Sequence, residues 1–201
     1  MASPDTSSES LPAATDKEPS RRDVIVIAAG GFGAVGAAAA LWPLFDQMNP
    51  DESALSFATT EIDVSHVAAG QAITVAWRGK PIFIRRRTEE VIKAAQAVPL
   101  GDLIDPIARN ANLPDDAPAT DENRTTKGKE EWLVIIGICT HLGCIPQGQK
   151  PGDNKGDWGG WFCSCHGSQY DTAGRVRHGP APQNMYIPPY KFVSDTKIKI
   201  G

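Results

Sequence analysis

The chain has 201 residues, in which 20 Lys and Arg stand against 24 Asp and Glu, for a formal net charge of -4. Hydrophobic residues make up 41% and charged residues 22%, which are ordinary values for a folded protein of one or two domains. The acidic balance excludes the class of nucleic-acid-binding proteins, which need an excess of basic residues to neutralise phosphates. We therefore expect no nucleic-acid partner.

The N-terminal segment combines a polar leader with a long apolar stretch. Residues 1–23 are rich in Ser, Pro, Ala and acidic side chains, and residues 24–45 carry no charge. A helix over the apolar stretch is about 33 Å long, enough to span the hydrocarbon core of a membrane. A cleaved signal peptide is the alternative, but its apolar core is usually only about 7–15 residues long. We predict an uncleaved transmembrane anchor at 24–45.

The charges that flank this anchor predict its orientation. Lys17, Arg21 and Arg22 precede it, and no Lys or Arg follows it before Arg78. Cytoplasmic flanks carry the excess of basic residues, so we expect a cytoplasmic N-terminus, a single pass through the inner membrane and a periplasmic ectodomain. The run at 20–25, SRRDVI, also resembles a twin-arginine export signal. That route carries folded, cofactor-loaded proteins.

The remainder of the chain is predicted to be a linker and one β-rich domain. Residues 46–57 hold Pro and small or acidic residues without a strong period, which predicts a flexible hinge. Residues 58–201 have the length of one domain. Short β-rich runs bounded by Gly, Pro and Asp predict an antiparallel β sandwich or barrel. The runs are 61–64, 72–77, 81–87, 132–138, 161–163, 186–187, 190–193 and 197–200.

Two segments of the ectodomain depart from this β pattern. Residues 88–97, TEEVIKAAQA, have acids in the first turn and Pro99 soon after the end, which predicts one short helix. Residues 100–129 are polar and rich in Pro and Asp. We predict a long surface insertion there.

Metal-ligand chemistry is concentrated in two short segments, CTHLGC at 139–144 and CSCHGSQY at 163–170. Each offers a thiol and an imidazole close enough for one loop to present both to a small metal centre. Four cysteines and two histidines exceed what one tetrahedral metal needs. A structural Cys2His2 zinc site is the alternative, and it leaves two cysteines that are expected to pair in an oxidising compartment.

The two segments resemble the Rieske signature, C-x-H-x-G-C followed by C-x-C-H-G-S, whose centre is a histidine-ligated 2Fe-2S cluster. The resemblance implies an all-β Rieske-type antiparallel sandwich with an inserted cluster-binding subdomain at about 135–182. It assigns one cysteine pair to the first iron, the histidine pair to the second, and the other cysteine pair to a disulfide: Cys139 and Cys163, His141 and His166, Cys144 and Cys165. Ser164 replaces the usual family proline without removing a ligand.

The resemblance also implies how the centre is tuned and covered. Two imidazoles in place of two thiolates make the cluster about two charges less negative, so its reduction potential rises. Ser168 and Tyr170 are the implied hydrogen-bond donors to its sulfurs, which raise the potential further. The run at 179–182, which includes Pro180, resembles the proline loop that covers the cluster. Leu142 and Gly143 would complete the docking tip.

The anchor, the run at 77–85 and the two ligand segments together resemble the iron-sulfur subunit of bacterial ubiquinol:cytochrome c reductases, the cytochrome bc complexes. The resemblance implies electron transfer from ubiquinol on a cytochrome b subunit to a c-type cytochrome subunit, which contributes to proton translocation. His166 would contact the quinol, with His141 as the second imidazole of the reaction. A dimeric complex is also implied.

Two other functions remain as alternatives at this point. The Rieske small subunit of an arsenite-oxidase-type enzyme is also exported, although it lacks a run like that at 79–87 and the inserted helix. From a different class, a zinc-stabilised periplasmic binding module would use the same cysteines and histidines and would be colourless.

Overall fold

The computed structural model describes residues 20–49 and 58–201. Most of the predicted leader and hinge, at 1–19 and 50–57, lies outside the described residues. The chain divides into two units, residues 1–50 and 51–201.

The N-terminal unit contains one long helix, α1, at Arg21–Asp46. Ser20 and Asp23 form a capping box, in which each side chain accepts a hydrogen bond from the other's backbone N–H. This cap satisfies orphan donors of the first turn, and α1 therefore begins before the predicted apolar stretch at 24–45. The helix is long enough and apolar enough to cross a membrane, and no side chain in it is buried within the chain.

The ectodomain is built from three antiparallel sheets of three strands each, which confirms the predicted all-β fold. Their strand orders are β1-β9-β8, β2-β3-β4 and β5-β6-β7. The strands are β1 Thr60–Asp63, β2 Ala72–Trp77, β3 Lys80–Arg86, β4 Trp132–Ile136, β5 Gly159–Cys163, β6 Ser168–Asp171, β7 Val176–His178, β8 Tyr190–Ser194 and β9 Lys197–Ile200. The third sheet is inserted in the chain between β4 and β8.

The predicted short helix is confirmed as α2, Glu89–Gln96. Thr88 caps it, because its side chain accepts a hydrogen bond from the N–H of Val91 at 3.4 Å. Two acidic residues in the first turn, Glu89 and Glu90, complement the positive end of the helix dipole.

One of the predicted β runs was wrong, and two strands were missed. Residues 186–187 form no strand of a sheet, and Ile187 makes only an isolated bridge to Asn110. Strands β6 and β7 were not predicted, because their short polar sequences lack the apolar alternation that indicates a half-buried strand. The pairing of β6 with β5 and of β7 with β6 comes from the turns that join these strands, not from their own composition.

The second and third sheets pack through a stack of aromatic and cationic side chains. The rings of Phe83 on β3 and Trp161 on β5 lie 6.2 Å apart and nearly parallel. The guanidinium of Arg85 also lies over the Trp161 ring, 4.0 Å from its centroid. Gly137 makes room for Phe83, since a Cβ there would approach the ring to 2.5 Å. The third sheet, which carries the second ligand segment, is thereby packed against the second sheet.

The segment at 100–129 is not the surface insertion that the sequence predicted. Arg124 is completely buried, and its guanidinium donates to the carbonyls of Ala108, Ala173 and Gly174. Asp121 is also buried, and its carboxylate lies 2.5 Å from the guanidinium of Arg87, the residue that follows β3. The charged residues of this segment suggested exposure, but Asp121 and Arg124 are buried because partners from other parts of the domain compensate their charges and hydrogen-bonding groups.

Candidate metal centre

The first ligand loop, residues 139–144, follows β4 and closes back on itself. The N–H of Cys139 donates to the carbonyl of Cys144 at 2.7 Å, and the N–H of Gly143 donates to the carbonyl of Cys139 at 3.0 Å. Gly143 has a φ of 83°, a left-handed conformation that glycine adopts without steric cost. The two ends of the loop, Cys139 and Cys144, therefore lie close together.

The second ligand loop is the turn between β5 and β6. Cys163 ends β5 and Ser168 begins β6, and the two residues are paired across the sheet. The N–H of Gly167 donates to the carbonyl of Cys163 at 2.9 Å, with a φ of 80° at Gly167. Ser164 is exposed in this turn, and the turn closes without the usual proline.

Two cysteines, Cys139 and Cys163, carry free and buried thiols, with exposed fractions of 1% and 2%. Burial raises the pKa of Cys163, and the adjoining Cys139 thiol raises that pKa further. Without a metal the Cys163 thiol therefore keeps its proton, whereas a bound metal replaces the proton of a cysteine and makes it a thiolate ligand.

The two histidines of the motifs are brought together. The ring centroids of His141 and His166 lie 4.6 Å apart, with the ring planes at 86°. The Nδ1 atom of His141 is buried and has no hydrogen-bond partner among the described residues. Buried nitrogen atoms are normally bonded, so this one is an available metal ligand. His166 is exposed to solvent.

The remaining cysteines, Cys144 and Cys165, are joined in a disulfide that connects the two ligand loops. The sulfur of Cys163 lies within 4.8 Å of both. Because disulfide sulfurs do not act as thiolates, only Cys163 of these three can supply a thiolate to a metal.

Tyr170 and Ser168 lie on β6 beneath the ligand loops. The hydroxyl of Tyr170 donates to the Cys139 sulfur at 3.3 Å. Burial raises the pKa of Tyr170, and the bond to Cys139 acts in the same direction, so the hydroxyl keeps its proton at neutral pH. The Ser168 hydroxyl oxygen accepts a hydrogen bond from the N–H of Ala181 at 3.1 Å.

The segment at 179–182 lies directly against the second ligand loop. A Cβ on Gly179 would approach the Cα of Ser168 to 2.6 Å, and Gly179 has a φ of 92°. Pro180 is exposed. Leu142 on the first loop has 70% of its surface exposed, and Gly143 is also exposed, so the first ligand loop and the 179–182 segment both present surface to solvent.

Thr140 is a site residue that the sequence did not indicate. Its N–H donates to the Tyr170 hydroxyl oxygen at 3.1 Å, and its own hydroxyl donates to the carbonyl of Gln183 at 2.6 Å. It thereby ties the first ligand loop both to β6 and to the end of the 179–182 segment. Thr140 occupies an unspecified position of the motif, so spacing alone contained no signal for it.

The donor set comprises two thiols and two imidazoles at one end of the domain. The orphaned Nδ1 of His141 and the paired buried thiols fit a bound metal centre. Two cysteines and two histidines satisfy one tetrahedral zinc ion as well as a 2Fe-2S cluster with histidines on one iron. The donor set by itself does not choose between these two centres.

Comparison with known proteins distinguishes them. The family model described as "Rieske [2Fe-2S] domain" matches residues 114–191, which include both ligand loops. The ubiquinol-cytochrome c reductase iron-sulfur subunit of Rhodospirillum rubrum is 55% identical over 92% of this chain and 93% of its own length. The chain belongs to the family of ubiquinol-cytochrome c reductase iron-sulfur subunits. The family member from Cereibacter sphaeroides is 52% identical over 94% of this chain and 98% of its own length.

The family assignment extends to the N-terminal unit and to solved structures. A family model described as "Ubiquitinol-cytochrome C reductase Fe-S subunit TAT signal" matches residues 11–51, which include α1. A chain of the structure titled "Hyperthermophilic respiratory Complex III" is 30% identical, with a TM-score of 0.50, over 87% of this chain and 98% of that one.

Membership of this iron-sulfur subunit family decides the cofactor and the class of protein. The centre is a Rieske 2Fe-2S cluster, and the chain is a subunit of an oxidoreductase complex. The zinc module and the arsenite-oxidase-type subunit are therefore not favoured.

Proposed function

We propose that this subunit takes one electron from ubiquinol held by a cytochrome b subunit and passes it to a c-type cytochrome subunit. The observation that carries the proposal is the pair of buried thiols beside the pair of imidazoles, with the His141 Nδ1 atom left without a hydrogen-bond partner among the described residues. A dimeric complex and a contribution to proton translocation belong to the same proposal.

Four side chains hold the cofactor in this proposal, Cys139 and Cys163 on one iron and His141 and His166 on the other. When bound, the cluster supplies one-electron chemistry at a potential raised by its two imidazole ligands. Cys144 and Cys165 brace the loops. The buried thiols exclude water from one side of the centre, and the exposed His166 leaves the other side open to a partner.

His166 is the residue that we expect to meet the quinol. Ubiquinol oxidation releases two electrons and two protons, and this subunit accepts one of the electrons. A neutral histidine with one ring nitrogen on a metal carries a proton on the other nitrogen, and once that proton is lost this nitrogen can accept a hydrogen bond or a proton. The exposure of His166 gives a quinol hydroxyl access to it, whereas His141 is half-buried. His141 is the secondary proton-linked imidazole.

The exposed tip suits a docking surface on cytochrome b. Leu142 is 70% exposed and lies with Gly143 and Pro180 at the end that carries His166. Covering an exposed apolar side chain with a partner removes its surface from water, which stabilises the complex. Ser168 and Tyr170 would tune the centre from below.

Single alanine substitutions of the four ligand residues test the assignment. We expect the EPR signal of the reduced centre and the visible colour to disappear in Cys139→Ala, His141→Ala, Cys163→Ala and His166→Ala, because each supplies one terminal ligand. His66→Ala, outside both motifs, is the matched control and should retain both. A normal signal in any of the four variants removes that residue from the ligand set. A wild-type protein that is colourless and contains zinc would overturn the proposed function.

We also propose that α1 anchors the subunit with its N-terminus in the cytoplasm and its ectodomain in the periplasm. The basic pair Arg21 and Arg22 at the start of α1 supports this orientation. A variant carrying both Arg21→Lys and Arg22→Lys should accumulate on the cytoplasmic side, because twin-arginine export requires both arginines. Protease added to spheroplasts should then spare the ectodomain. Full digestion in the variant would contradict this export route.

A further inference from the structure

A polar cavity of about 360 Å³ lies on the ectodomain away from the ligand residues. It is bounded by residues 70–72, which lead into β2, by Arg85 near the end of β3, and by the loop at 148–155 that leads to β5. Its volume falls within the range of small-molecule sites. We call it the Arg85 cavity.

Arg85 is a buried cation without a carboxylate partner. Only 8% of its surface is exposed, and no acidic oxygen lies within 4.0 Å of it among the described residues. Its guanidinium rests on the Trp161 ring and donates one hydrogen bond, to the carbonyl of Gly148. A guanidinium has five N–H donors, so most of those of Arg85 are without a protein acceptor in the described part of the chain.

The other buried arginines of the described ectodomain either pair with a carboxylate or donate more hydrogen bonds than Arg85 does. Arg87 pairs with Asp121, Arg175 pairs with Asp171, and Arg124 donates to three carbonyls. Burial, reinforced by the charge of Arg87, lowers the pKa of Arg85 to about 10. Arg85 therefore remains charged at neutral pH although its surroundings disfavour the charge, and an anion would relieve that cost.

Two lysines add to the positive charge of the cavity. Lys150 and Lys155 line it from the loop side and are exposed, and no carboxylate lines it in the described ectodomain. The nearest acidic group of that loop, Asp153, accepts hydrogen bonds from the N–H groups of Gly148 and Lys150 at 3.1 and 2.9 Å. The cavity is thus lined by three cations, and the one carboxylate of its loop is already engaged by the backbone.

The walls of the Arg85 cavity are held in place. The amide of Gln149 donates to the carbonyl of Ile73 on β2 at 3.0 Å and accepts from the Trp161 indole N–H at 3.2 Å. Gly148 allows the loop to approach β5 closely, since a Cβ there would come within 2.4 Å of the carbonyl oxygen of Gly160. The cations are therefore presented on a preorganised frame, which reduces the entropic cost of binding.

We propose that the Arg85 cavity binds a phosphate group, with the Arg85 guanidinium as the fixed donor and Lys150 and Lys155 closing over the anion from the loop. A planar guanidinium can donate two parallel hydrogen bonds to phosphate oxygens, and lysines add mobile point charges. Free inorganic phosphate and the headgroup of an anionic phospholipid present the same chemistry. This proposal is independent of the electron-transfer function.

Equilibrium dialysis of the full chain, purified in detergent with its cluster, against radiolabelled inorganic phosphate tests the proposal. Chloride holds the ionic strength constant, so a general charge effect is removed. We expect saturable binding of one phosphate per chain. Loss of charge-assisted hydrogen bonds should weaken binding about tenfold or more in the double variant Lys150→Gln, Lys155→Gln and in Arg85→Gln.

The matched control is the double variant Lys93→Gln, Lys197→Gln, which removes the same charge from exposed positions elsewhere. An unchanged EPR spectrum in each variant shows that the domain is intact. Competition by short-chain phosphatidylglycerol below its micelle concentration distinguishes the source: stronger binding than inorganic phosphate supports a lipid headgroup, and weaker binding supports free phosphate. Absence of saturable binding by either probe, or equal weakening in the control, overturns the proposal.

Discussion

The hydroxyl of Tyr170 donates to the sulfur of Cys139 at 3.3 Å and accepts a hydrogen bond from the N–H of Thr140 at 3.1 Å. A donor to a ligand sulfur withdraws negative charge from it and favours reduction of the metal centre. The backbone bond from Thr140 orients the hydroxyl toward the sulfur.

Tyr170→Phe should therefore lower the midpoint potential and slow quinol oxidation while the cluster remains bound. Redox titration followed by EPR is the measurement. Tyr186→Phe is the matched control, because within the described residues the Tyr186 hydroxyl bonds only to the side chain of Gln183. An unchanged midpoint in Tyr170→Phe would remove the tuning role from this residue.

Ser168→Ala should also lower the midpoint potential, and in addition it should loosen the 179–182 segment. The Ser168 hydroxyl oxygen accepts from the N–H of Ala181, so the substitution leaves a buried N–H unpaired at a cost of about 1–3 kcal/mol. We expect faster cluster loss on heating than in Tyr170→Phe, measured by visible circular dichroism. Equal thermal loss in both variants would show that the Ala181 contact does not hold the segment.

The disulfide between Cys144 and Cys165 should leave both cysteines unlabelled by an alkylating reagent under native, cluster-loaded conditions. Mass mapping after alkylation is the measurement, with a reduced and denatured sample as the positive control. The chain separation of 21 residues predicts a stabilisation of about 3 kcal/mol. Cys144→Ser should accordingly lose the cluster at a lower temperature, and a label on either native cysteine would contradict the pairing.

Arg124→Met should strongly destabilise the ectodomain, by about 3–5 kcal/mol. The substitution leaves the carbonyls of Ala108, Ala173 and Gly174 without their buried donor. Arg78→Met, at an exposed turn, is the control and should shift stability by less than about 0.5 kcal/mol. Chemical unfolding monitored by tryptophan fluorescence is the measurement, and equal midpoints for the two variants would refute the bracing role of Arg124.

The segment that follows α1, up to residue 57, should act as a hinge in electron delivery. Ala54→Pro, Leu55→Pro and Ser56→Pro together should stiffen it without touching the cluster. We expect the EPR spectrum and midpoint to stay unchanged and reduction of the c-type heme to slow at least tenfold in flash kinetics of the assembled complex. The control carries Leu55→Ala and Ser56→Ala, and wild-type kinetics in the proline variant would rule out a mobile hinge.

Local patterns in the sequence were sufficient to predict the apolar helix, the short helix and several strands. The bounds of α2 differ by one residue at each end from the predicted 88–97, since Thr88 and Ala97 are its caps. Strand β2 has the predicted bounds. Periodicity, capping residues and turn residues act over a few neighbouring positions, so the elements that depend on them can be predicted from the sequence.

The same local reasoning failed where burial depends on distant partners. The bonds of Arg124 to Ala173 and Gly174 join residues 49 and 50 positions apart, and nothing near Arg124 in the sequence indicates them. Strand β6 is another example, because its polar residues are ordered by β5, β7 and the ligand loops above it.

The sequence by itself determined the identity and spacing of the ligand-type residues and the apolar length of α1, because these are properties of contiguous segments. Only the tertiary structure decided that 100–129 braces the domain, that Thr140 bonds to Gln183, and that Arg85 is buried without a counter-ion among the described residues. Whether a charged or polar group is buried is a matter of free-energy balance between desolvation and its partners. Those partners come together only when the chain folds.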